Sequence, residues 1–290
     1  MFQGAFTAIV TPFKDGKVDV AALRSLIRFG VDGGLSGFVP CGTTGESPTL
    51  SHEEHKQVVE ITTKEVAGQV KVLAGTGSNS TEEALALTKH AKEVGADGAL
   101  MVSPYYNKPT QEGLYQHFRT VAEAVDIPIV VYNIQSRTGV NVENETMARL
   151  SKVRNIVGVK EASGSILQMS EVIRLCGPNF DLLSGDDQMT FPLMALGGKV
   201  VISVLTNIVP EKMSQLVAHM LKGETDKGRA LHFELYELCQ VMFIETNPIP
   251  VKAALALMGK IRPDIRLPLC APSEAHLKKL RAVLEQYGLL

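Results

Sequence analysis

The sequence predicts a (β/α)8 barrel followed by a helical extension, on three observations. Short apolar runs rich in β-branched residues recur along the first two-thirds of the chain, helix-like segments separate them, and no strand-like run follows the last of them. Eight strands joined by helical crossovers close a parallel barrel. An open doubly wound sheet is the rival, but Thr11-Pro12-Phe13-Lys14 after the first run is not a Gly-rich dinucleotide loop.

Each strand is predicted from an apolar run bounded by turn residues. The eight predicted strands are Ala5–Val10, Gly37–Pro40, Val72–Ala74, Ala99–Val102, Ile127–Tyr132, Ile156–Lys160, Asp181–Ser184 and Val200–Val204. Helical spacing follows Asp19, and two capping boxes, beginning at Ser51 and Ser80, announce two further helices. Pro210 is placed as a first-turn residue of another helix.

The residues after the last strand are predicted to form helices only. The helix-like runs are Lys212–Lys222, Gly228–Phe243, Val251–Met258 and Ser273–Tyr287. We expect residues 1–209 to form the barrel, whose last helix continues to about 222, and residues 223–290 to form an extension packed on it. There is no Pro/Ser/Gly-rich linker, which favours one structural unit.

Composition excludes several classes of function. Charged residues make up 21% of the chain and the net charge is −2 with both signs interspersed, so no basic surface for nucleic acid or an anionic membrane is indicated. The amino terminus lacks the pattern of a signal peptide, and no apolar stretch is long enough to span a membrane. The four cysteines are scattered without metal-ligand spacing and are expected to be reduced thiols of a cytoplasmic protein.

Polar side chains follow most of the predicted strands at the end where a barrel enzyme carries its chemistry. These segments are Gly42-Thr43-Thr44-Gly45-Glu46, Pro104-Tyr105-Tyr106-Asn107, Tyr132-Asn133 with Arg137 beyond, Lys160-Glu161, and Ser184-Gly185-Asp186-Asp187. An amine, phenols, hydroxyls and a guanidinium are therefore expected to converge on one rim of the barrel.

Lys160 is the most informative residue because it ends an apolar run that reads as a buried strand. Burying an ammonium requires a charged partner or a lowered pKa. A neutral amine in a dry pocket is a nucleophile toward carbonyl groups and forms Schiff bases. The segment alone slightly favours a lysine that has left the strand and points into solvent; the other strand ends reverse this preference and favour the buried amine.

The residue types at the rim suggest a reaction on a keto acid. Lys160 would attack a ketone and form an iminium, and Tyr132 would shuttle protons with the hydroxyls of Thr43 and Tyr106 as relay partners. The Gly42–Thr44 segment supplies N–H groups and hydroxyls for a carboxylate. Arg137 would clamp a second carboxylate.

Each member of this set has a simpler interpretation. The Gly-Thr-Thr-Gly segment could be only a tight turn, Tyr132 could cap the core, and Arg137 could be an ordinary surface charge. Cys41 is taken as a small packing residue. No histidine lies at a strand end, which disfavours a His-rich metal site, and Asp186-Asp187 after the seventh strand disfavours a phosphate-binding barrel.

Taken together, the motifs resemble those of the 4-hydroxy-tetrahydrodipicolinate synthases, also called dihydrodipicolinate synthases, within the pyruvate-dependent Schiff-base lyase and aldolase superfamily. The matching segments are Thr7–Pro12, Gly42–Glu46, Tyr132-Asn133, Ser136–Gly139, Val157–Ser163 and, more weakly, Asn247–Lys252. One departure is Gln135, where the family usually has proline, and this is expected to loosen the loop that carries Arg137.

The resemblance implies a carbon–oxygen lyase without metal or cofactor. Lys160 would form a Schiff base with pyruvate, and the enamine would attack L-aspartate 4-semialdehyde to give 4-hydroxy-tetrahydrodipicolinate in the diaminopimelate and lysine pathway. Tyr132 would be the proton donor, with Thr43 and Tyr106 completing its relay. Tyr106 would reach the active site of a neighbouring subunit, so a homo-oligomer, expected to be a tetramer built as a dimer of dimers, is implied.

The resemblance also implies how the substrates are held. Thr44 would hold the pyruvate carboxylate, Ile202 and Gly185 would line the same pocket, and Arg137 would meet the carboxylate of the semialdehyde. N-acetylneuraminate lyase and 2-keto-3-deoxy sugar-acid aldolases are the alternatives within the superfamily, and a non-catalytic barrel that binds an α-keto acid is a distant one.

A second set of residues is implied as a feedback site for L-lysine. In lysine-inhibited synthases the matching positions form an allosteric pocket at a dimer interface; here they are Ser47, His52, His55, Asn79, Glu83 and Tyr105. From the residues alone, two histidines on a solvated helix face and Glu83 as the reciprocal member of a capping box would be a sufficient account.

Overall fold

The computed structural model describes residues 1–290 and contains a closed barrel of eight parallel strands. In chain order the strands are β1 (Gly4–Ala8), β2 (Gly37–Val39), β3 (Lys71–Gly75), β4 (Gly98–Val102), β5 (Ile129–Asn133), β6 (Ile156–Glu161), β7 (Asp181–Ser184) and β8 (Val200–Ser203). Each strand pairs with its sequence neighbour, and β1 pairs with both β2 and β8 to close the ring. The predicted barrel is confirmed, with strand ends displaced by at most two residues.

Helices connect the strands and follow the last one. They are α1 (Val20–Asp32), α2 (His52–Val66), α3 (Thr81–Glu93), α4 (Gln111–Ala124), α5 (Gln135–Thr138), α6 (Asn144–Leu150), α7 (Ile166–Cys176), α8 (Thr190–Ala195), α9 (Pro210–Leu221), α10 (Thr225–Glu234), α11 (Tyr236–Val241), α12 (Ile249–Leu257) and α13 (Glu274–Gln286). Gln135 is the first residue of the one-turn helix α5, a position that proline and glutamine can both occupy.

The helix starts follow the local sequence signals, with one exception. Ser51 and Glu54 form a complete capping box at α2, and Pro210 occupies the first turn of α9. At α3, Ser80 accepts a hydrogen bond from the amide of Glu83, but the Glu83 carboxylate does not return to the Ser80 amide. The predicted capping box is therefore half formed, because the Glu83 carboxylate binds Ser78 and His52 instead.

Two features of the chain differ from the sequence expectation. The predicted helix Gly228–Phe243 is two helices, α10 and α11, which meet at the buried Leu235, where ψ is −4°. A two-stranded antiparallel hairpin, Phe13–Lys14 with Lys17–Val18, follows β1. Its turn, Asp15-Gly16, has positive φ at both residues, the backbone that an Asp-Gly hairpin signal indicates.

The core has an inner and an outer layer. Alternate strand side chains fill the barrel interior, among them Phe6, Val130, Leu183 and Ile202. The opposite faces of the strands pack against the helices, and Leu255 of α12 and Leu284 of α13 belong to the same continuous outer cluster. The helices after β8 therefore pack on the barrel.

None of the helices combines the length and the apolar character needed to cross a lipid bilayer. All four cysteines are free thiols; Cys41 and Cys239 are buried, and Cys270 is exposed.

Candidate active site

Lys160 and Tyr132 lie side by side inside the barrel. The two residues are register partners on the adjacent strands β6 and β5. The Lys160 ammonium nitrogen lies 4.0 Å from the centre of the Tyr132 ring, and both side chains are buried. The following pair, Asn133 and Glu161, points out of the barrel, where Asn133 donates hydrogen bonds to the Glu161 carboxylate. The alternation of strand side chains thus places the amine and the phenol together and removes Glu161 from the site.

The surroundings of Lys160 favour the neutral amine. Burial lowers the pKa of Lys160 to about 7; the Asp187 carboxylate opposes this shift and the Arg137 guanidinium adds to it. Gly185 leaves room for the lysine, since a Cβ there would lie 3.1 Å from Lys160 Cε. About half of the amine is therefore neutral and nucleophilic at pH 7.

Tyr132 keeps its proton at any working pH. Burial raises the pKa of the Tyr132 phenol to about 12, although Arg137 and a hydrogen bond with the Thr43 side chain both favour the phenolate. The Tyr132–Thr43 contact joins the end of β5 to the loop after β2. The phenol thus keeps a proton that it could donate, and it has a hydroxyl partner in place.

Thr44 and Arg137 are linked through a residue that follows the barrel. Asn247 Nδ2 donates to Thr44 Oγ1 at 3.0 Å, and Arg137 Nη2 donates to the Asn247 carbonyl oxygen at 3.2 Å. Thr44 is buried, whereas Arg137 lines an open cavity at the barrel mouth. Ile202 belongs to the barrel interior. The structure therefore brings the predicted carboxylate-binding residues to one rim.

Asp187 occupies the place where a phosphate-binding barrel holds its ligand. One carboxylate oxygen accepts the amides of Val204 and Leu205, at 3.1 Å and 2.9 Å, at the end of β8. The other oxygen, Oδ1, is buried without a hydrogen-bond partner. Burial raises the pKa of Asp187 to about 6. An acidic side chain on these amides excludes a phosphate there.

Tyr106 does not enter the site of its own chain. Its side chain is 89% exposed and its φ is 72°, a left-handed conformation that is uncommon for an aromatic residue. An exposed, conformationally constrained aromatic residue beside the barrel mouth is suited to contact with another molecule.

A cavity of about 390 Å³ joins the two predicted sets of residues. Thr43, Tyr132 and Arg137 line it, and so do residues of the predicted lysine set: Ser47, His52, His55, Glu83 and Tyr105. The sixth member, Asn79, donates through Nδ2 to the Tyr105 carbonyl oxygen at 3.3 Å.

In the part of this cavity that the predicted lysine set lines, Glu83 is ionised and His55 is neutral. A hydrogen bond from Ser78 and another from His52 keep the pKa of Glu83 below its usual value. His52 Nε2 lies 2.6 Å from Glu83 Oε1. Burial lowers the pKa of His55 to about 4, and its Nε2 donates to the Gly75 carbonyl oxygen at 2.9 Å. The cavity therefore offers one carboxylate and a neutral imidazole whose buried Nδ1 has no partner.

Other candidate chemistry finds no support in the geometry. Burial raises the pKa of the Cys41 thiol far above its usual value, so the thiolate nucleophile is disfavoured. Nowhere in residues 1–290 do three His, Cys, Asp or Glu side chains converge as metal ligands.

Sequence reasoning missed three residues that shape this site. From the sequence, Asp187 is interpreted only as a negative charge that would repel a phosphate. Asn247 and Lys252 lie in a segment quoted only for its resemblance, and they contact Thr44 and Glu46, respectively. An internal lysine in the apolar run Ile249–Leu257 is the signal that could have indicated a buried ion pair.

The whole length of the chain matches a known family. Residues 1–287 match the Dihydrodipicolinate synthetase family. The 4-hydroxy-tetrahydrodipicolinate synthase of Syntrophus aciditrophicus (strain SB) is 60% identical over 290 residues, which are 100% of each chain. The crystal structure of dihydrodipicolinate synthase from Aquifex aeolicus is 52% identical, covers 99% of each chain and has a TM-score of 0.98.

Two other similar structures were solved with small molecules bound. A dihydrodipicolinate synthase from Acinetobacter baumannii, complexed with pyruvate, is 44% identical, with a TM-score of 0.98 and full coverage of both chains. A dihydrodipicolinate synthase from Cyanidioschyzon merolae, with lysine bound, is 40% identical, with a TM-score of 0.96, and covers 100% of this chain and 99% of that chain.

Proposed function

The chain belongs to the dihydrodipicolinate synthetase family, and on that basis we propose that it condenses pyruvate with L-aspartate 4-semialdehyde to give 4-hydroxy-tetrahydrodipicolinate. It is a carbon–oxygen lyase that works through a Schiff base on Lys160. The observation that carries the proposal is a buried amine, with a pKa of about 7, beside a protonated tyrosine inside the barrel.

Lys160 supplies the covalent step. Its neutral amine attacks the keto carbon of pyruvate, and the carbinolamine loses water to give an iminium. Loss of a proton from the pyruvate methyl group gives an enamine, whose carbon forms a bond to the aldehyde carbon of the semialdehyde. The amino group of the semialdehyde then attacks the iminium carbon, closes the ring and releases Lys160. One water leaves overall, and no cofactor is required.

Tyr132, Thr43 and Tyr106 are the proposed proton relay. Tyr132 donates to the hydroxyl of the carbinolamine as water leaves, and Thr43 holds the phenol in place. Tyr106 is exposed in a single chain, and we propose that it completes the relay of a neighbouring subunit. The functional protein is then a homo-oligomer, since two subunits must share each pair of sites. We propose that two such dimers form a tetramer.

The two substrate carboxylates are assigned to different residues of the rim. Thr44 and the amides of its loop hold the pyruvate carboxylate, with Ile202 and Gly185 lining that side. Arg137 provides the cation for the carboxylate of the semialdehyde. Asn247 bridges Thr44 and Arg137, which keeps the two anion sites at a fixed separation.

L-lysine is the proposed effector, and it would bind in the part of the cavity lined by Glu83, His52 and His55. The ionised Glu83 suits the ammonium group of a zwitterion. Polar partners come from Ser47, His52, His55 and Tyr105, which line the cavity, and from Asn79, which donates to the Tyr105 carbonyl oxygen. The lysine-bound relative supports this assignment. The cavity continues to Tyr132, so an effector there lies next to the relay.

Three broader assignments complete the proposal. Residues 1–209 form the catalytic barrel, with its last helix continuing to about 222, and residues 223–290 form an extension packed on it. The four unpaired cysteines suit the reducing cytoplasm. The shared name of the relatives favours the synthase over N-acetylneuraminate lyase, a sugar-acid aldolase or a keto-acid sensor.

Trapping with borohydride tests the proposed function. The protein is incubated with pyruvate, reduced with borohydride and mapped by peptide mass spectrometry, with Lys160→Ala as the matched control. We expect a pyruvate-derived modification on Lys160 alone, and condensation with the semialdehyde in a coupled assay. Absence of an adduct in folded protein at excess pyruvate would overturn the mechanism, and an adduct without condensation would favour a sister lyase.

A further inference from the structure

A buried ion pair joins the helical extension to the loop that carries Thr43 and Thr44. Lys252 of α12 donates to the carboxylate of Glu46, and the two side chains are only 3% and 1% exposed. They lie 206 positions apart in the chain, so this is a tertiary contact. A pair so deeply buried loses most of its hydration, so it requires further hydrogen bonds to be tolerated.

Those further hydrogen bonds are present. The Lys252 ammonium also donates to the Thr11 carbonyl oxygen at 3.1 Å and lies 4.3 Å from the centre of the Phe13 ring. The second carboxylate oxygen of Glu46 accepts the amide of Arg266 at 3.2 Å. The Lys252 ammonium and the Glu46 carboxylate therefore each have a further partner besides one another.

The backbone of Glu46 is held in an unfavourable conformation. Its φ is 54°, in the left-handed region that costs a non-glycine residue free energy. The Glu46 amide donates to the Thr43 carbonyl oxygen at 3.1 Å. A relaxation of Glu46 would therefore move Thr43, the partner of Tyr132, and the adjacent Thr44.

Stability alone does not account for this pair. Replacing a buried ion pair by neutral groups of similar volume is often neutral or stabilising, so its presence indicates a requirement for a defined geometry. The geometry it defines is that of Gly42–Glu46. The pair acts there together with the Thr11 hydroxyl, which donates to the Gly45 carbonyl oxygen at 2.7 Å, and with the Arg266 amide on Glu46.

We propose that Lys252 and Glu46 are positioning residues, which hold the Gly42–Glu46 loop in the conformation that binds the pyruvate carboxylate. Neither side chain touches the substrate. This inference rests on the proposed function, since it concerns how that function's pyruvate site is built. It also gives the helical extension a part in substrate binding through α12.

A double variant separates positioning from stability. Glu46→Gln with Lys252→Met removes both charges, keeps an acceptor for the Arg266 amide and leaves no unpaired buried charge. We expect a thermal unfolding midpoint within a few degrees of the wild type. The pyruvate concentration that gives half-maximal borohydride trapping should rise about tenfold, a loss of about 1.4 kcal/mol. The rate of trapping at saturating pyruvate should change much less.

The chain offers a matched control in an exposed pair. Arg262 Nη1 donates to Asp15 at 2.9 Å, with the side chains 51% and 77% exposed, and Asp15 also has a left-handed φ of 53°. Asp15→Asn with Arg262→Met should leave both the pyruvate response and the unfolding midpoint near wild type.

The outcomes are distinct. A double variant that is folded and has the wild-type pyruvate response would overturn the positioning role and leave the pair as a structural contact. If the double variant does not fold, Glu46→Asp carries the same comparison, because it keeps both charges and shortens the reach of the carboxylate toward Lys252. If wild-type protein itself traps no pyruvate, the proposed function fails; a normal wild-type response with unchanged variants refutes only the positioning role.

Discussion

Tyr132 and Lys160 face each other across β5 and β6, with the lysine nitrogen 4.0 Å from the centre of the phenol ring. In this placement Lys160 has no counter-ion within hydrogen-bonding reach. Burial disfavours both the ammonium form of Lys160 and the phenolate form of Tyr132, so both groups are held toward their neutral forms. A neutral amine and a neutral phenol at contact are the states that carbinolamine formation and dehydration require.

The rate of pyruvate adduct formation should follow the titration of Lys160. With a pKa of about 7, compared with an ordinary value of 10.5, the neutral fraction is about one tenth at pH 6 and about nine tenths at pH 8. We expect the rate at subsaturating pyruvate to rise about tenfold over this interval and then level. Quench-flow trapping with mass spectrometry measures it; a rate that still rises tenfold per unit above pH 8 would contradict a depressed pKa.

The lowered pKa of Lys160 also predicts that Lys160→Met and the wild type differ in their free energy of unfolding. A lysine whose folded pKa is lowered binds fewer protons in the folded state than in the unfolded state between pH 7 and pH 10.5, so folding stability increases with pH in that window. The variant lacks this contribution. Its free energy of unfolding should exceed that of the wild type most at pH 7, and the gap should narrow toward pH 10 in denaturant titrations. If the difference in the free energy of unfolding does not change with pH, the substitution affects packing only.

Subunit mixing should reveal a shared active site. Tyr106→Phe and Lys160→Ala are each expected to be impaired, the first partially and the second fully, because they remove the relay and the nucleophile. Mixed assemblies contain sites with Lys160 from one subunit and Tyr106 from the other. We expect activity above the average of the two parents after denaturation and joint refolding.

Native mass spectrometry provides the control for mixing. Assemblies of both variants must form in multiples of 31.4 kDa, and mixed species must be present. A monomer with full wild-type turnover, or mixed assemblies with no gain in activity, would refute the intersubunit role of Tyr106.

Removing the Glu83 carboxylate should abolish inhibition by L-lysine and leave turnover nearly unchanged. The low pKa of Glu83 keeps it ionised, so it is the cavity's partner for an ammonium group. We expect wild-type turnover at subsaturating pyruvate to fall with added L-lysine and Glu83→Gln to be insensitive. The exposed neighbour provides the control, Glu82→Gln, which should remain inhibited. Norleucine, which lacks the side-chain amine, should not inhibit the wild type.

The barrel and its strand ends could be predicted because they depend on local patterns. A buried parallel strand requires a continuous apolar run, so Lys160 at the end of such a run indicated both its strand and its position at the rim. Tyr132 and Thr43 followed from the same rule, since carboxyl ends of parallel strands meet.

Contacts between distant segments could not be predicted in this way. Glu46 and Lys252 each look ordinary in their own segments, and only the folded chain brings them together. The contact of Glu83 with His52 likewise joins two helices, α3 and α2, through residues that lie 31 positions apart in the chain. The split of the predicted helix at Leu235, where ψ is −4°, has no signal in the sequence either, because leucine is a strong helix former.

The charge of Asp187 should influence the pH at which Lys160 loses its proton. Its carboxylate lies near enough to oppose the lowering of the Lys160 pKa, while burial keeps its own pKa at about 6. Asp187→Asn removes the charge but keeps an oxygen for the amides of Val204 and Leu205, so the end of β8 should hold its shape. Without the carboxylate the ammonium form is less favoured, and the midpoint of the pH–rate curve for adduct formation should move to lower pH, by about one unit. Asp186→Asn is the control, because Asp186 caps the amide of Gln188 and has no part in the Lys160 shift. A midpoint that stays fixed in Asp187→Asn would show that Asp187 does not influence the Lys160 pKa, and one that moves to higher pH would contradict the sign of its effect. A shift of equal size in Asp186→Asn would assign the effect to the net charge of the loop.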